Sequence, residues 1–147
     1  MAGWRGSHGG VWWVYTHGAM DPQTVRTVVD HVIDFGKLAP EGHVYLTIAW
    51  GSDAPPPAAR KEMAEALNQY RGAYKKCLGH AFVANSLAMR GALTAVGWFV
   101  NKPYVERIFA APEPAFAWFQ SLSPTVDIDG VVAAMKKEVA PQAWWKK

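Results

Sequence analysis

The chain of 147 residues is 50% hydrophobic and 18% charged, which excludes a disordered chain and leaves room for one core but not for two domains of ordinary size. The net charge of +3 comes entirely from the last twelve residues, which hold four lysines and one glutamate, so the body has no basic stripe for a nucleic-acid backbone. No apolar run approaches the roughly 20 residues that cross a bilayer, and we expect a soluble protein that binds no nucleic acid.

The first half of the chain predicts two strands and two helices. Residues 11–15 are β-branched and aromatic, typical of a strand buried on both faces. Asp21 and Pro22 suit the start of a helix, because the carboxylate caps free N–H groups and proline tolerates the first helical position. Residues 43–50 form the clearest strand. A proline-rich loop over residues 51–57 then precedes an amphipathic helix.

The second half continues this alternation. Residues 77–84 are an apolar run of strand length, and Asn85-Ser86 can cap a third helix that runs to about residue 99. The elements that follow are a strand over residues 105–109, a short helix from Pro112 and a last helix capped by Asp127 or Asp129.

Strands that alternate with helices need crossover connections, which produce a mainly parallel sheet covered by helices. We therefore predict an α/β fold in which a parallel or mixed sheet of four to five strands packs with about four helices and a C-terminal helix. Residues 3–5 can add a short antiparallel strand at the edge. The expected organisation is a domain over residues 1–124, followed by a C-terminal helix and a basic, tryptophan-rich tail over residues 125–147.

Three segments carry a family resemblance through their order and spacing. Residues 13–24 look like a first long strand and its turn into a helix, residues 81–93 like a strand-to-helix step, and residues 105–119 like a last strand and closing helix. Over residues 11–122 the chain thus resembles the STAS domain family. The likeness is to its SpoIIAA-like branch of bacterial anti-sigma-factor antagonists, which is related to CRAL-TRIO lipid-binding domains. This resemblance implies a STAS-like fold and a regulatory or scaffold module that works by protein–protein contact.

The resemblance also implies a switch site. Classical members of the family carry a serine that a partner kinase phosphorylates at the start of the helix after the central strand. A phosphate there meets the positive end of the helix dipole. Ser52 lies in the corresponding loop, without the family's Asp-Ser-Ser-Gly signature and with three prolines before the helix. Ser52 is therefore the candidate for phosphorylation.

Few side chains could carry catalysis. His17 and Asp21 flank the first strand-to-helix turn, on the side of the sheet where α/β folds place their sites. Cys77 and His80 are three residues apart on one predicted strand, which places them on opposite faces and keeps them from pairing or sharing a metal ion. The chain has no phosphate-binding glycine loop and no nucleophile elbow. We expect no enzymatic activity, metal or cofactor, with Cys77 as a small buried residue and His80 as a hydrogen-bonded packing histidine.

Cysteine content and the first residues indicate the compartment. The single Cys77 cannot close a disulfide within the chain, which is typical of the reducing cytoplasm. The first ten residues have no apolar signal-peptide core. We therefore expect a cytoplasmic protein.

The third predicted helix has more apolar surface than packing on a sheet requires. One stripe can face the sheet, and the other can contact a partner, form a wall of a ligand groove, or be covered by the tail helix. We expect this surface to support a homodimer. Its residues are Met89, Leu93, Val96 and Phe99.

The C-terminal segment has similar alternatives. An apolar helix face followed by tryptophans and lysines resembles an interfacial membrane anchor, but the few cations favour packing on the chain's own domain or on a neighbouring subunit. The residues expected to dock are Val131, Val132, Met135, Trp144 and Trp145.

Two functions from different classes fit these observations. The leading hypothesis is a non-enzymatic, STAS-like regulatory or scaffold module that acts by protein–protein contact. The alternative is a CRAL-TRIO-like carrier of an apolar small molecule or lipid, which requires a closed apolar pocket of a few hundred Å³. An enzyme that uses His17 and Asp21 is a distant third, and it would require these groups to converge in a cleft.

Overall fold

The computed structural model describes residues 2–18, 22–69, 77–97 and 105–139. Within these ranges strands and helices follow one another in the predicted alternation. They are β1 (Ala2–His8), β2 (Val11–Gly18), α1 (Pro22–Leu38), β3 (His43–Ser52), α2 (Pro57–Gln69), β4 (Cys77–Ala84), α3 (Leu87–Gly97), β5 (Val105–Phe109), α4 (Pro112–Leu122) and α5 (Ile128–Glu138).

The strands form one sheet in the order β1-β2-β3-β4-β5. β1 and β2 are an antiparallel hairpin, and every other neighbouring pair is parallel. The hairpin turns through Gly9 and Gly10, whose φ angles of 54° and 84° lie in the region that favours glycine. The edge strand predicted from residues 3–5 is confirmed, and it extends over seven residues.

The sequential strand order decides which face each helix covers. Right-handed crossovers between neighbouring parallel strands place the connecting helices on one face, and α1, α2 and α3 all pack there (the α1–α3 face). α4 and α5 cover the opposite face (the α4–α5 face). The predicted α/β fold is thus confirmed, with a five-stranded mixed sheet between the two helical layers.

Side chains of the central strands alternate between the two layers. Tyr45 and Ala49 lie in the hydrophobic cluster of the α1–α3 face, whereas Leu46 and Ile48 lie in that of the α4–α5 face. The strands are therefore apolar on both sides, as expected for a sheet covered on both faces. None of the helices in the described ranges is long and apolar enough to cross a bilayer.

Helix α5 shares the core of the sheet. Val131 and Met135 are fully buried in the cluster of the α4–α5 face, and Val132 packs against it while partly exposed. The three helical residues predicted to dock therefore pack on the chain's own domain. Trp144 and Trp145 lie outside the described residues.

Asp127 joins α5 to the hairpin. Its carboxylate accepts the backbone N–H of Gly130 at 3.0 Å and so caps the helix, as predicted. The other oxygen lies 3.0 Å from Nε2 of His8 on β1. The hydrogen bond from Gly130, and to a smaller extent the one from His8, holds the pKa of Asp127 below its ordinary range.

Replacing Met135 tests whether α5 is part of the cooperative core. Met135→Ala removes a fully buried side chain, and we expect the free energy of unfolding to fall by about 2–5 kcal/mol. The matched control is Lys136→Ala, because Lys136 is the next residue and is exposed. Urea denaturation provides the measurement. Equal stability of the two variants would show that α5 is not part of the cooperatively folded unit.

Candidate functional site

The carboxyl ends of β2 and β3 bring Ser52 and His17 to the same edge of the sheet. Ser52 is only 3% exposed, and its hydroxyl lies 3.5 Å from that of Thr16. His17 donates from Nδ1 to the carbonyl of Trp50 at 2.6 Å. Both side chains are thus held by neighbouring strands. A kinase would reach Ser52 only after the end of β3 opened, and Asp21, the predicted companion of His17, lies outside the described residues.

A buried polar chain crosses the α1–α3 face. His80 is 3% exposed, and its Nε2 lies 2.8 Å from the hydroxyl of Thr47. Its Nδ1 lies 3.4 Å from Glu106 Oε2, and the Glu106 side chain is 10% exposed. The aromatic rings of Tyr45 and Phe82 pack against the imidazole, with centroids 4.5 and 4.3 Å from its own. The prediction of a hydrogen-bonded packing histidine at position 80 is confirmed.

The hydroxyl of Thr47, the imidazole of His80 and the carboxylate of Glu106 contact one another in the same order as the three groups of a catalytic triad. A triad needs a substrate beside its nucleophile, yet Thr47 and His80 are buried, and neither they nor Glu106 line either groove described below. The arrangement satisfies the polar groups of the core.

The predicted opposite orientation of Cys77 and His80 is wrong. His43 pairs with Cys77, but Val44 pairs with Gly79, so the pairing shifts by one residue at Leu78. This bulge reverses the alternation of side chains before it. Cys77 consequently packs against the hydrophobic cluster of the α1–α3 face.

Cys77 nevertheless has the properties of a structural residue. Burial raises the pKa of its thiol to about 11, and the thiol donates to the carbonyl of Gly79 at 3.2 Å. A protonated thiol is a poor nucleophile and a poor metal ligand. Within the described ranges, no group of three His, Cys, Asp or Glu side chains is arranged to hold a metal ion.

Alkylation tests the state of Cys77. Because the thiol stays protonated at neutral pH, iodoacetamide should modify the native protein at least about 100-fold more slowly than the protein in urea. Intact-mass spectrometry over time gives both rates. Modification of the native chain at the rate of an exposed cysteine would contradict the assignment.

His43 links stability to pH. It is 2% exposed, and Nδ1 donates to the carbonyl of Pro40 at 2.8 Å. Burial lowers the pKa of His43 from its ordinary value of 6.5; the hydrogen bond to Pro40 opposes this effect, and the electrostatic interaction with His80 adds to it. Burial and Arg5 lower the pKa of His31 in the same direction.

The imidazoles of His31 and His43 are protonated near pH 6.5 in the unfolded chain but only at lower pH in the native chain. Acid therefore favours unfolding. We expect the free energy of unfolding to fall as the pH decreases from 7.5 through 6.5 towards 5. His43→Asn, whose side-chain amide can still donate to Pro40, should flatten this dependence. Urea denaturation at each pH measures it. A free energy of unfolding that rose as the pH fell from 7.5 to 5 would contradict this expectation.

Two of the four residues expected to form a contact surface on α3 are buried within the chain. Met89 and Leu93, at 1% and 6% exposure, belong to the cluster of the α1–α3 face. They are core residues because this stripe faces the sheet. The side chain of Val96 and all of Phe99 lie outside the described residues. Ala95 of the same helix lines an open groove between α2 and α3, which has a volume of about 440 Å³.

A second open groove, which we call the β1–α5 groove, has a volume of about 480 Å³. One wall is β1, which has a strand neighbour only on the β2 side in the described part of the chain. The other wall is the exposed side of α5. The lining residues are Arg5, Gly6, Ser7, His8, Trp13, Gly130, Ala133, Ala134, Lys137 and Glu138.

Trp13 on β2 reaches this groove across β1. A β-carbon at Gly6, its partner in the hairpin, would lie 2.7 Å from Cζ2 of the indole and 3.2 Å from Nε1. Only glycine at position 6 therefore admits the ring. Trp13 is 1% exposed, and in residues 2–18, 22–69, 77–97 and 105–139 its Nε1 hydrogen has no acceptor. A buried N–H without a partner costs about 1–3 kcal/mol, so this donor is a candidate for recognising a ligand.

The sequence predicted Trp13 only as part of a strand. The pairing of Gly6 with Trp13 could have been inferred from the Gly9-Gly10 turn, since a two-residue hairpin loop fixes the register of its strands. The position of α5 beside β1 could not have been inferred in this way. Comparison of the chain with protein-family models, characterised proteins and solved structures gave no match.

Proposed function

We propose that the protein is a non-enzymatic, STAS-like module that acts by binding a protein partner at the β1–α5 groove. The order of its strands and helices and the segment resemblance support the family assignment. The observation that carries the proposal is the groove itself, in which the edge of β1 lies beside the indole N–H of Trp13, a donor without a partner in the part of the chain that the structure describes.

An edge strand suits a polypeptide partner. Its outward N–H and C=O groups can pair with an added strand, and natural proteins usually protect such edges. Gly130, Ala133 and Ala134 make the opposite wall shallow, because small side chains let a backbone approach closely. The groove is therefore shaped for an extended segment.

The side chains that could carry chemistry have structural roles. His17 is bonded to Trp50 and His43 to Pro40, while His80 is bonded to Thr47. This use of polar groups within the fold supports binding over catalysis. Since Met89 and Leu93 are core residues, we place the partner at β1 rather than at α3.

Carriage of an apolar molecule remains the second hypothesis, and it requires a closed cavity between the sheet and a helical layer. The two grooves described above are open, and one lies between helices and the other beside the edge of the sheet. Neither has the enclosure that a carrier needs.

Reconstitution with a purified partner tests the proposal. The full chain is used as bait in extracts of its source cell, and each recovered protein is purified and mixed again with the bait. We expect light scattering to show a complex of defined stoichiometry. The proposal is wrong if no recovered protein rebinds the bait. Turnover of a small-molecule substrate would then indicate an enzyme, and a bound lipid in native mass spectrometry would indicate a carrier.

A further inference from the structure

The lining of the β1–α5 groove includes a hydrogen-bond donor that has no acceptor within the described part of the chain. The indole N–H of Trp13 is buried and has no partner among the described residues, and the indole edge that carries it lies against Gly6, which also lines the groove. Lys137, on the α5 wall, has an ammonium group that donates three hydrogen bonds and accepts none. A ligand that satisfies both residues must supply hydrogen-bond acceptors.

The remaining groups of the groove favour a peptide. Glu138 on the same wall accepts hydrogen bonds and can take the N–H groups of an added chain. His8 is already bonded to Asp127. β1 offers its backbone along one side, where an extended segment can continue the sheet.

We propose that the groove binds an extended peptide that pairs with the edge of β1 and places a carboxylate on the Trp13 N–H and beside Lys137. The carboxylate comes from an Asp or Glu side chain or from the chain terminus, since an ionised carboxylate is an acceptor only and forms the stronger, charge-assisted bond. This assignment rests on the proposed function, and it names the chemistry that the partner presents.

The probe is a displayed library of nine-residue peptides, randomised at every position, that is selected on the full chain. Selected sequences are then synthesised and measured by fluorescence polarisation. We expect enrichment of Asp, Glu or a free C-terminus at one position. Replacing that group by its amide or by leucine should weaken binding at least about tenfold, the effect of losing a hydrogen bond to a charged group.

Two matched pairs of variants locate the site. Trp13→Phe keeps a ring and removes the N–H, and it should weaken binding at least about tenfold. Its control is Trp12→Phe, on the same strand and the opposite face. Lys137→Gln should weaken binding several-fold, and Lys136→Gln, which changes an exposed lysine outside the groove lining, should not.

NMR of the unaltered chain keeps the test independent of how the variants fold. We expect the indole ¹⁵N–¹H resonance of Trp13 to move downfield when the peptide binds, and the amides of β1 to gain protection from hydrogen exchange. Selected peptides that bind Trp13→Phe and Lys137→Gln as tightly as the unaltered chain, or that leave the Trp13 indole resonance unmoved, would overturn the proposal. Absence of binders, with a chain dimer that Trp13→Phe weakens, would assign the groove to a second copy and also overturn it.

The two proposals can fail separately. A purified partner that binds the Trp13→Phe variant normally and leaves the amides of β1 unprotected would remove the peptide assignment while the protein-binding function stood. If no purified protein rebinds the chain and the library yields no binding peptide, both the protein-binding function and the peptide assignment are wrong.

Discussion

The sequential order of the strands constrains the rest of the molecule. Because each parallel strand is added beside the previous one through a right-handed crossover, all connecting helices accumulate on one face. The other face would be left as an uncovered apolar surface. α4 and α5 follow the last strand and cover it, so the C-terminal helix completes the core, and its outer side forms one wall of the β1–α5 groove.

This constraint explains why element order could be predicted and element contacts could not. Alternating apolar runs indicated the strands, and capping residues such as Ser86 and Asp127 indicated helix starts that the structure confirms. These signals are local, because each comes from residues that are close in sequence to the strand or helix that it indicates. The bond between Thr47 and His80 joins residues 33 positions apart, and neither residue carries a sign of its partner.

Two predictions about side-chain orientation failed, one in β4 and one in α3. The alternation rule assigned Cys77 and His80 to opposite faces, and one unpaired residue in β4, Leu78, was enough to reverse it. Similarly, α3 has two apolar stripes, and its sequence does not say which of them meets the sheet. Met89 and Leu93 turned out to be core residues. The candidate groove depends on Trp13 and α5 together and could therefore be recognised only after folding.

The carboxylate of Asp127 holds the two walls of the groove in a fixed relation. It caps α5 through Gly130 and bonds to His8 on β1, and its backbone N–H donates to the carbonyl of Gly9 in the hairpin turn at 3.2 Å. The spacing between strand edge and helix is thus set before any ligand arrives. Binding to such a preorganised groove avoids the entropy loss of ordering its walls. A residue that never touches the ligand can in this way contribute to its affinity.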